Sequence, residues 1–500
     1  MKTTTKTLPD DVKTLQKMVL ALQDKNQYLL EQFRLFQQKQ FGKSSEVDNG
    51  QGELFNEAEQ LVDETMTSEI EVVSNTRKKP KRQPLPKDLP REVKVVDIDD
   101  AEKVCDCCGD ELHPMGDKRS EQLEFVPAQI KVIETVRLQY SCHRCENEST
   151  RTPIKIAPVP VSPIPKSMAT PSLLSQVITS KYQYSMPLYR QESLFKQHGI
   201  ALSRKTMSEW MIKCATLFKP IIAHLHQHLL KQPVVQADET TLRVLGEDKF
   251  KCYMWVYCTG IDSPAESTTK NIVLYDYQSS RAGQCAVNYL EGFNGALQAD
   301  GYRGYEQVDT LLAGCMAHAR RKFIEAQKAQ PKNKTGRADW AVNHIKKLYR
   351  IEKAIKDLSA DEKKATRQEK TLPLLAQFKQ WLDKTAAQVL PKSAIGVAIK
   401  YCLNQWEKLT RYIDNGHLSI DNNRAERAVK PFVIGRKNWM FCNTASGANA
   451  SAVLYSLIES AKANGLMPFN YLMHLLEELP KQRGDLESLM PWRVKLNIVI

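Results

Sequence analysis

The sequence predicts a multidomain α/β chain, and three observations carry that expectation. First, 500 residues is enough for about three or more domains. Second, alternating apolar segments that read as strands cluster between residues 233 and 313, with helix-period segments after them. Third, two C-x-x-C pairs stand apart from both, in a stretch too small to rely on an apolar core alone. Hydrophobic residues make up 42% of the chain, so at least one sizeable core is expected. Lys and Arg number 71 against 58 Asp and Glu, a formal charge of +13 with a pI near 9.0. Such an excess suits a polyanionic partner, above all nucleic acid, although a merely basic soluble protein would show it too. No apolar run reaches the roughly 18 residues of a membrane span, and MKTTTKTLPDD has no signal-peptide core. A soluble, cytoplasmic protein with no membrane partner is therefore expected. Twelve cysteines in a chain this long do not make a disulfide scaffold.

Residues 1–45 form the first element. Leu8, Leu15, Leu22, Leu29 and Phe36 recur every seven positions, with Val12, Val19, Asn26 and Phe33 interleaved. That is a coiled-coil seam of roughly four heptads, and Asn26 at an inner position favours a parallel two-stranded coil. A single amphipathic helix packed on its own chain would read the same way. Residues 46–95 are a polar and then basic linker: an acidic connector to about residue 75, then TRKKPKRQPLPKDLPRE, which proline excludes from regular helix. In residues 96–152, Cys105 and Cys108 form one C-x-x-C and Cys142 and Cys145 another, with 33 residues between the pairs. Two such knuckles flanking alternating segments predict a zinc ribbon, because four thiolates can converge tetrahedrally on Zn2+. Cys107 and His143 are read as neighbours rather than ligands.

Residues 153–232 open with a proline-rich extended linker. A helix is then expected from Tyr189 to about Lys196, a turn at Gly199, and a second helix capped by Ser203 and running through Ile212. Helix, glycine turn and basic helix make a helix-turn-helix candidate, with Arg204 and Lys205 placed for DNA contact; an ordinary helical hairpin is the rival reading.

From Pro233 the period becomes that of strands. VVQAD, TLRVLG, KCYMWVYCTG and NIVLYDYQ read as strands, AVNYLEGF as a short helix, GALQAD as a strand ending at Asp300, and LLAGC as a strand running into a basic helix. Antiparallel strands followed by strand–helix alternation predict a ribonuclease-H-like core. In such a core Asp238 and Asp300 face each other on neighbouring strands, where two carboxylates repel unless a cation lies between them. Magnesium, or manganese, would offset that cost and suit phosphoryl transfer. A third acid is expected in DNNRAERAVKPFVIGRKNW, where Asp421, Asn422 or Asn423 can cap a helix and set Glu426 one turn in. Arg427, Lys430, Arg436 and Lys437 surround it, while Glu407 and Asp421 lie near enough in sequence to compete. Singly, each acid would be an ordinary surface group. Cys315 and His318 form a C-x-x-H of open meaning: it could face DNA, order the helix, belong to a separate metal site, or simply be packed, and Arg320, Arg321 and Lys322 beside them are the better candidates for phosphate contact.

With those motifs in view, the chain resembles bacterial DDE transposases of the insertion sequence 66 family. The strings FGKSSE, KYQYSMPLYRQE, ADET, QADGYRGY, CMAHARRKF and DNNRAERAVKPFVIGRKNW carry the likeness, with the C-x-x-C pairs and the tail ASAVLYSLIESAKANGLMPFNYLMHLLEELP. One departure is Met316, where the family commonly has tryptophan. The resemblance implies a catalytic triad of Asp238, Asp300 and Glu426. It also implies a catalytic domain over residues 233–445 with a helical insertion at about 325–415, and a small helical domain over 446–500. The 125 residues between Asp300 and Glu426 are too many for a bare core, and residues 325–415 have helical spacing, with a basic PKNKTGR loop. The implied activity is cleavage at terminal inverted repeats and transfer of the new 3′-hydroxyl to target DNA. Implied partners are a second copy of the chain and two small accessory proteins, in a bacterial cytoplasm at the nucleoid. The alternatives are a non-catalytic zinc-dependent DNA-binding regulator derived from a transposase, and a nuclease that cuts without joining.

Overall fold

Two units make up the computed structural model, one of residues 1–70 and 161–496, the other of residues 71–160 and 497–500. It describes residues 11–41, 93, 107, 130–141, 154–249, 251–260, 270–330, 336–481 and 484–496. Leu8, the connector and basic linker, the ribbon cysteines Cys105, Cys108, Cys142 and Cys145, and the body of the PKNKTGR loop lie outside those residues.

Helix α1 (Val12–Phe41) starts where Asp11 Oδ2 accepts the Thr14 amide at 3.0 Å. It touches the rest of its unit through the edge away from the seam. Arg34 Nη1 donates to Ala329 O, and Glu31 Oε2 accepts the Ala394 amide. The seam itself stays open, with Leu22 63% and Phe33 56% exposed, so α1 is not an amphipathic helix buried on its own chain. In the second unit, β1 (Gln139–Tyr140) pairs antiparallel with β2 (Lys155–Ile156). Part of the expected proline linker is therefore strand. Its later half is not free either, since Ile164 and Ala169 are buried in the first unit.

Thr170 caps α2 (Pro171–Tyr182), whose Leu174, Val177, Ile178 and Tyr182 are buried. Helix α3 (Leu188–Gln197) ends at Gly199, which takes the left-handed φ of +74° that the turn requires. Ser203 Oγ then accepts the Thr206 amide and opens α4 (Arg204–Leu230). The expected helix through Ile212 is in fact 27 residues long. Its apolar stripe explains this: Met207, Met211, Cys214, Phe218, Ile221, Leu225 and Leu229 bury one face at helical spacing to the end.

The sheet corrects another expectation. VVQAD and the start of TLRVLG are one strand, β3 (Val234–Leu242), so the two carboxylates sit inside a strand rather than at its end. β4 (Cys252–Thr259) and β5 (Ile272–Gln278) follow as antiparallel neighbours. Helix α5 (Gly283–Tyr289) begins and ends earlier than AVNYLEGF suggested, because the chain turns after Leu290 and Gly292 takes a φ of +80°. β6 (Ala296–Gln298) and β7 (Leu311–Ala313) complete a five-stranded sheet of order β5-β4-β3-β6-β7, in which β6 runs parallel to both β3 and β7.

Between β7 and the third acid the chain is helical: α6 (Met316–Ala329), α7 (Arg337–Ala354), α8 (Ala360–Thr366), α9 (Leu372–Ala386), α10 (Ala394–Asn404) and α11 (Trp406–Thr410). These helices share their own core around Phe323, Leu348, Phe378, Leu382 and Ile399. Helices α12 (Asn423–Trp439), α13 (Ala445–Ala463) and α14 (Pro468–Glu478) return to the first core, around the sheet. The C-terminal helices, expected as a small helical domain over 446–500, pack in the same core as the sheet. Ser456 and Ser460 on α13 accept the outward amides of Tyr275 and Val273 at 2.8 and 3.0 Å, closing the free edge of β5. No helix among the described residues is long and apolar enough to cross a membrane.

Candidate active site

Successive side chains on a strand point to opposite faces. Asp238 and Glu239 therefore part company in the middle of β3. Glu239 is built into the fold: Tyr305 Oη and Arg281 Nε donate to it at 2.7 and 2.8 Å. The Arg281 guanidinium lies over the Tyr302 ring, and the Tyr302 amide donates to Asp300 Oδ1 at 2.8 Å. Glu239 thus anchors the turn that carries Asp300.

Asp238 looks the other way. The register pairs Gln236 with Gln298, and the same offset aligns Asp238 with Asp300, which stands just past the end of β6. Below the acids, Gln236 Nε2 donates to Gln298 Oε1 at 3.0 Å, both side chains buried. The sequence did carry a signal for this bond, since Gln-Ala-Asp occurs at 236–238 and again at 298–300. Burial pushes the Asp238 carboxyl well above the usual range, and Glu239 and Asp300 add to the rise.

Glu426 reaches the same place by a different route. Asn422 occupies the cap position of α12, but its side chain makes no capping bond. Instead Asn422 Nδ2 donates to Ala237 O at 2.9 Å, pinning the start of the helix beside Asp238. Gln298 Nε2 donates to Ser419 O and the Met316 amide to Ile420 O, fixing the approach to the helix. One turn in, Glu426 is 4% exposed. Burial first, then Asp238, Asp421 and Asp300, raise its carboxyl to about 9 against the opposing pull of Arg321.

The rival acids are otherwise engaged. Asp421 Oδ2 accepts Tyr349 Oη and Asn423 Nδ2, both at 2.8 Å. Glu407 has a side chain 82% exposed and pairs with Arg411, four residues on and just past the end of α11. Cys315 and His318 both stand against the acid: Cys315 Sγ lies 3.9 Å and His318 Nδ1 3.2 Å from Glu426 Oε1, and the three donor atoms lie within 4.8 Å of one another. Burial and Arg321 hold His318 near 4, so its ring is neutral at pH 7. Arg321 Nη2 lies 3.3 Å from Glu426 Oε2.

Of the other predicted basic contacts, Arg204, Lys205 and Lys437 are exposed, and Lys322 and Arg427 are half-buried. Arg204 is also tied to Glu192 across the turn. Arg320 departs from expectation. At 4% exposure it lies inside the protein, with Tyr349 near its charge, so it is not presented to a phosphate. Arg436 is also spoken for, because its Nη1 donates to Thr241 Oγ1 at 3.0 Å and to Thr241 O.

Asp238, Asp300 and Glu426 come together here, each raising the cost of charging another, and Cys315 Sγ and His318 Nδ1 stand beside Glu426. The carboxylate oxygens fit hard divalent cations such as Mg2+ and Mn2+, whereas the thiol and imidazole beside Glu426 are donors for a softer ion.

Comparison with known proteins identifies the family of the chain. Residues 166–450, which include all three acids, match the family described as Transposase IS66 family. Residues 102–146, which include all four ribbon cysteines, match a zinc-finger binding domain of transposase IS66, supporting zinc in that segment. Residues 28–93 match a segment described as Transposase C of IS166 homeodomain, and residues 456–492 match the IS66 C-terminal element. Among curated relatives, the uncharacterized protein y4jD of Sinorhizobium fredii is 34% identical over 433 residues, covering 83% of this chain and 82% of its own. The uncharacterized protein y4hP of the same organism is 33% identical, covering 85% and 79%. With four family segments matched in order along it, the chain belongs to the IS66 transposase family.

Proposed function

We propose that the protein is a DNA transposase that cuts at its element's ends and joins the new 3′-hydroxyl to target DNA. The observation that carries this reading is the meeting of Asp238, Asp300 and Glu426 at one end of the parallel β3–β6 pair. The strand order, with β4 and β5 antiparallel on one side of β3 and β6 and β7 parallel on the other, supports a ribonuclease-H-like core.

In this reading Asp238, Asp300 and Glu426 hold two magnesium or manganese ions. Bound there, such ions supply charge stabilisation at the attacked phosphate and lower the pKa of the attacking oxygen. Asp238 and Asp300 set the spacing through the register of their strands. Glu426 is held to that register by the Asn422–Ala237 bond. Arg321, 3.3 Å from Glu426 Oε2, offsets the negative charge of the acids, and His318 packs against the same carboxylate. Water attacks the phosphodiester at the element end, the P–O3′ bond breaks, and the 3′-oxygen leaves as a hydroxyl. That hydroxyl then attacks a target phosphodiester in line, with no covalent intermediate on the protein.

Cys105, Cys108, Cys142 and Cys145 are the expected zinc ligands, and the ribbon and the α3–α4 turn are the expected readers of the terminal repeats. The open seam of α1 supports a dimer that holds two ends together. Two small accessory proteins belong to this reading through the family alone.

A strand-transfer assay on labelled element ends in magnesium, with gel-shift binding in parallel, tests it. Asp238→Ala, Asp300→Ala and Glu426→Ala should each bind ends but neither cut nor join. An active Glu426→Ala would remove the third acid from the scheme. A wild type that binds, even with the accessory proteins, but never cuts would favour the regulator; cutting without joining would favour a nuclease.

A further inference from the structure

Away from the acids, the sequence HLHQH lies near the end of α4. His224 and His228 are one turn apart and share a face. His226 points elsewhere, its Nε2 2.8 Å from Tyr289 O. The other two rings converge on a residue far along the chain. His224 Nε2 lies 2.9 Å and His228 Nε2 2.7 Å from the same atom, Glu487 Oε2. Their ring centroids are 4.9 Å apart.

We propose that His224, His228 and Glu487 form a zinc site that clamps α4 to the C-terminal segment. Two imidazoles at i and i+4 on a helix, with a carboxylate from elsewhere, are a donor set for zinc or a similar borderline cation rather than for magnesium. The side chains are 28%, 17% and 36% exposed, so an ion can enter and water can complete the tetrahedron. Zn–N bonds of about 2.0–2.1 Å ask the donor atoms to part slightly, a side-chain adjustment only.

The surrounding groups define the competitor. Lys270 Nζ is 3.3 Å from His228 Nδ1 and 3.8 Å from Glu487 Oε1, and it lies over the Trp492 ring. Trp492 Nε1 and Arg493 Nε also face Glu487 Oε1, at 3.4 and 3.6 Å. A histidine that binds zinc through Nε2 carries its proton on Nδ1, so Lys270 must release that atom as the ion enters. Lys270 therefore opposes the metal, and its removal should tighten binding.

The experiment is equilibrium dialysis of the full chain against micromolar free zinc, with zinc and protein quantified. Ribbon cysteines contribute alike to every variant, so the readout is a difference. Wild type should hold one more zinc per chain than His224→Gln/His228→Gln or Glu487→Gln. Glutamine keeps hydrogen-bonding capacity in each, and unchanged circular dichroism checks that the variants are folded. Lys270→Met should bind that extra zinc several-fold more tightly in competition with a chelator. Equal zinc content in all folded variants, or weaker binding by Lys270→Met, would overturn the site and leave a hydrogen-bonded clasp. Neither result depends on strand transfer, so failure here is distinct from failure of the transposase reading.

Discussion

At the residue scale, carboxylates that the fold leaves uncomfortable are informative. Asp276 on β5 is raised to about 6 by burial, despite a bond from Gln278 Nε2. Between about pH 4 and 6 the folded protein thus binds a proton that the unfolded chain releases, so this group makes stability fall as pH rises through that window. Asp276→Asn is expected to stabilise the protein at pH 7.5 by on the order of 1–3 kcal/mol and to have no such effect near pH 3.5. Urea denaturation at the two pH values checks this, and an equal gain at both would reject it. Asp238 makes the same point at the candidate active site. Asp238→Asn should end strand transfer yet raise Tm by a few degrees in magnesium-free buffer, because it removes a carboxylate that burial first, and then Glu239 and Asp300, make costly to charge. A lower Tm for that variant would mean that this cost is not what strains the site. The acids themselves were legible in the sequence through their motifs. Their supports were less so: Gln236, Gln298 and Asn422 are ordinary amides until a register and a helix dock set them against each other.

At the element scale, what the sequence concealed was mostly length and merger. Periodicity placed β4 and β5 well, since both strands are buried nearly throughout. It divided β3, because Asp238 and Glu239 interrupt the apolar pattern for chemical rather than structural reasons. It shortened α4, because a capped helix after a glycine turn looks complete long before its buried stripe ends at Leu229. The docking of α12 rests on a bond no propensity encodes. Asn422→Ala removes the donor to Ala237 O and should cost about 1–3 kcal/mol. Strand transfer should fall at least tenfold while end binding persists, and unchanged transfer would show that Glu426 is positioned by other contacts. On α1, Leu22→Glu with Leu29→Glu places charges in the open seam. Light scattering should report a smaller assembly for this variant; an unchanged mass would mean that the seam does not pair.

At the scale of the whole molecule, a formal charge of +13 makes DNA affinity strongly salt-dependent. Two neighbouring cations separate charge from structure. The exposed Lys437 should act as a phosphate contact, so Lys437→Ala should lower the slope of log K against log salt by about one. Arg436, bonded to Thr241, should instead lower Tm when changed to Ala. Binding isotherms over a salt series and thermal melts distinguish the two, and a reversal of the pattern would exchange their roles. The serines that close the edge of β5 have a consequence for biosynthesis. Val273 waits for Ser460, and 187 residues separate them in the chain. At about 5–20 residues per second, a ribosome leaves that edge open for roughly 10–40 s. Throughout that interval the nascent sheet offers unpaired amides to any strand nearby, which makes it a natural client for chaperones. A message cut short before α13 would therefore yield an aggregation-prone fragment rather than a folded protein, so only translation carried nearly to its end closes the core.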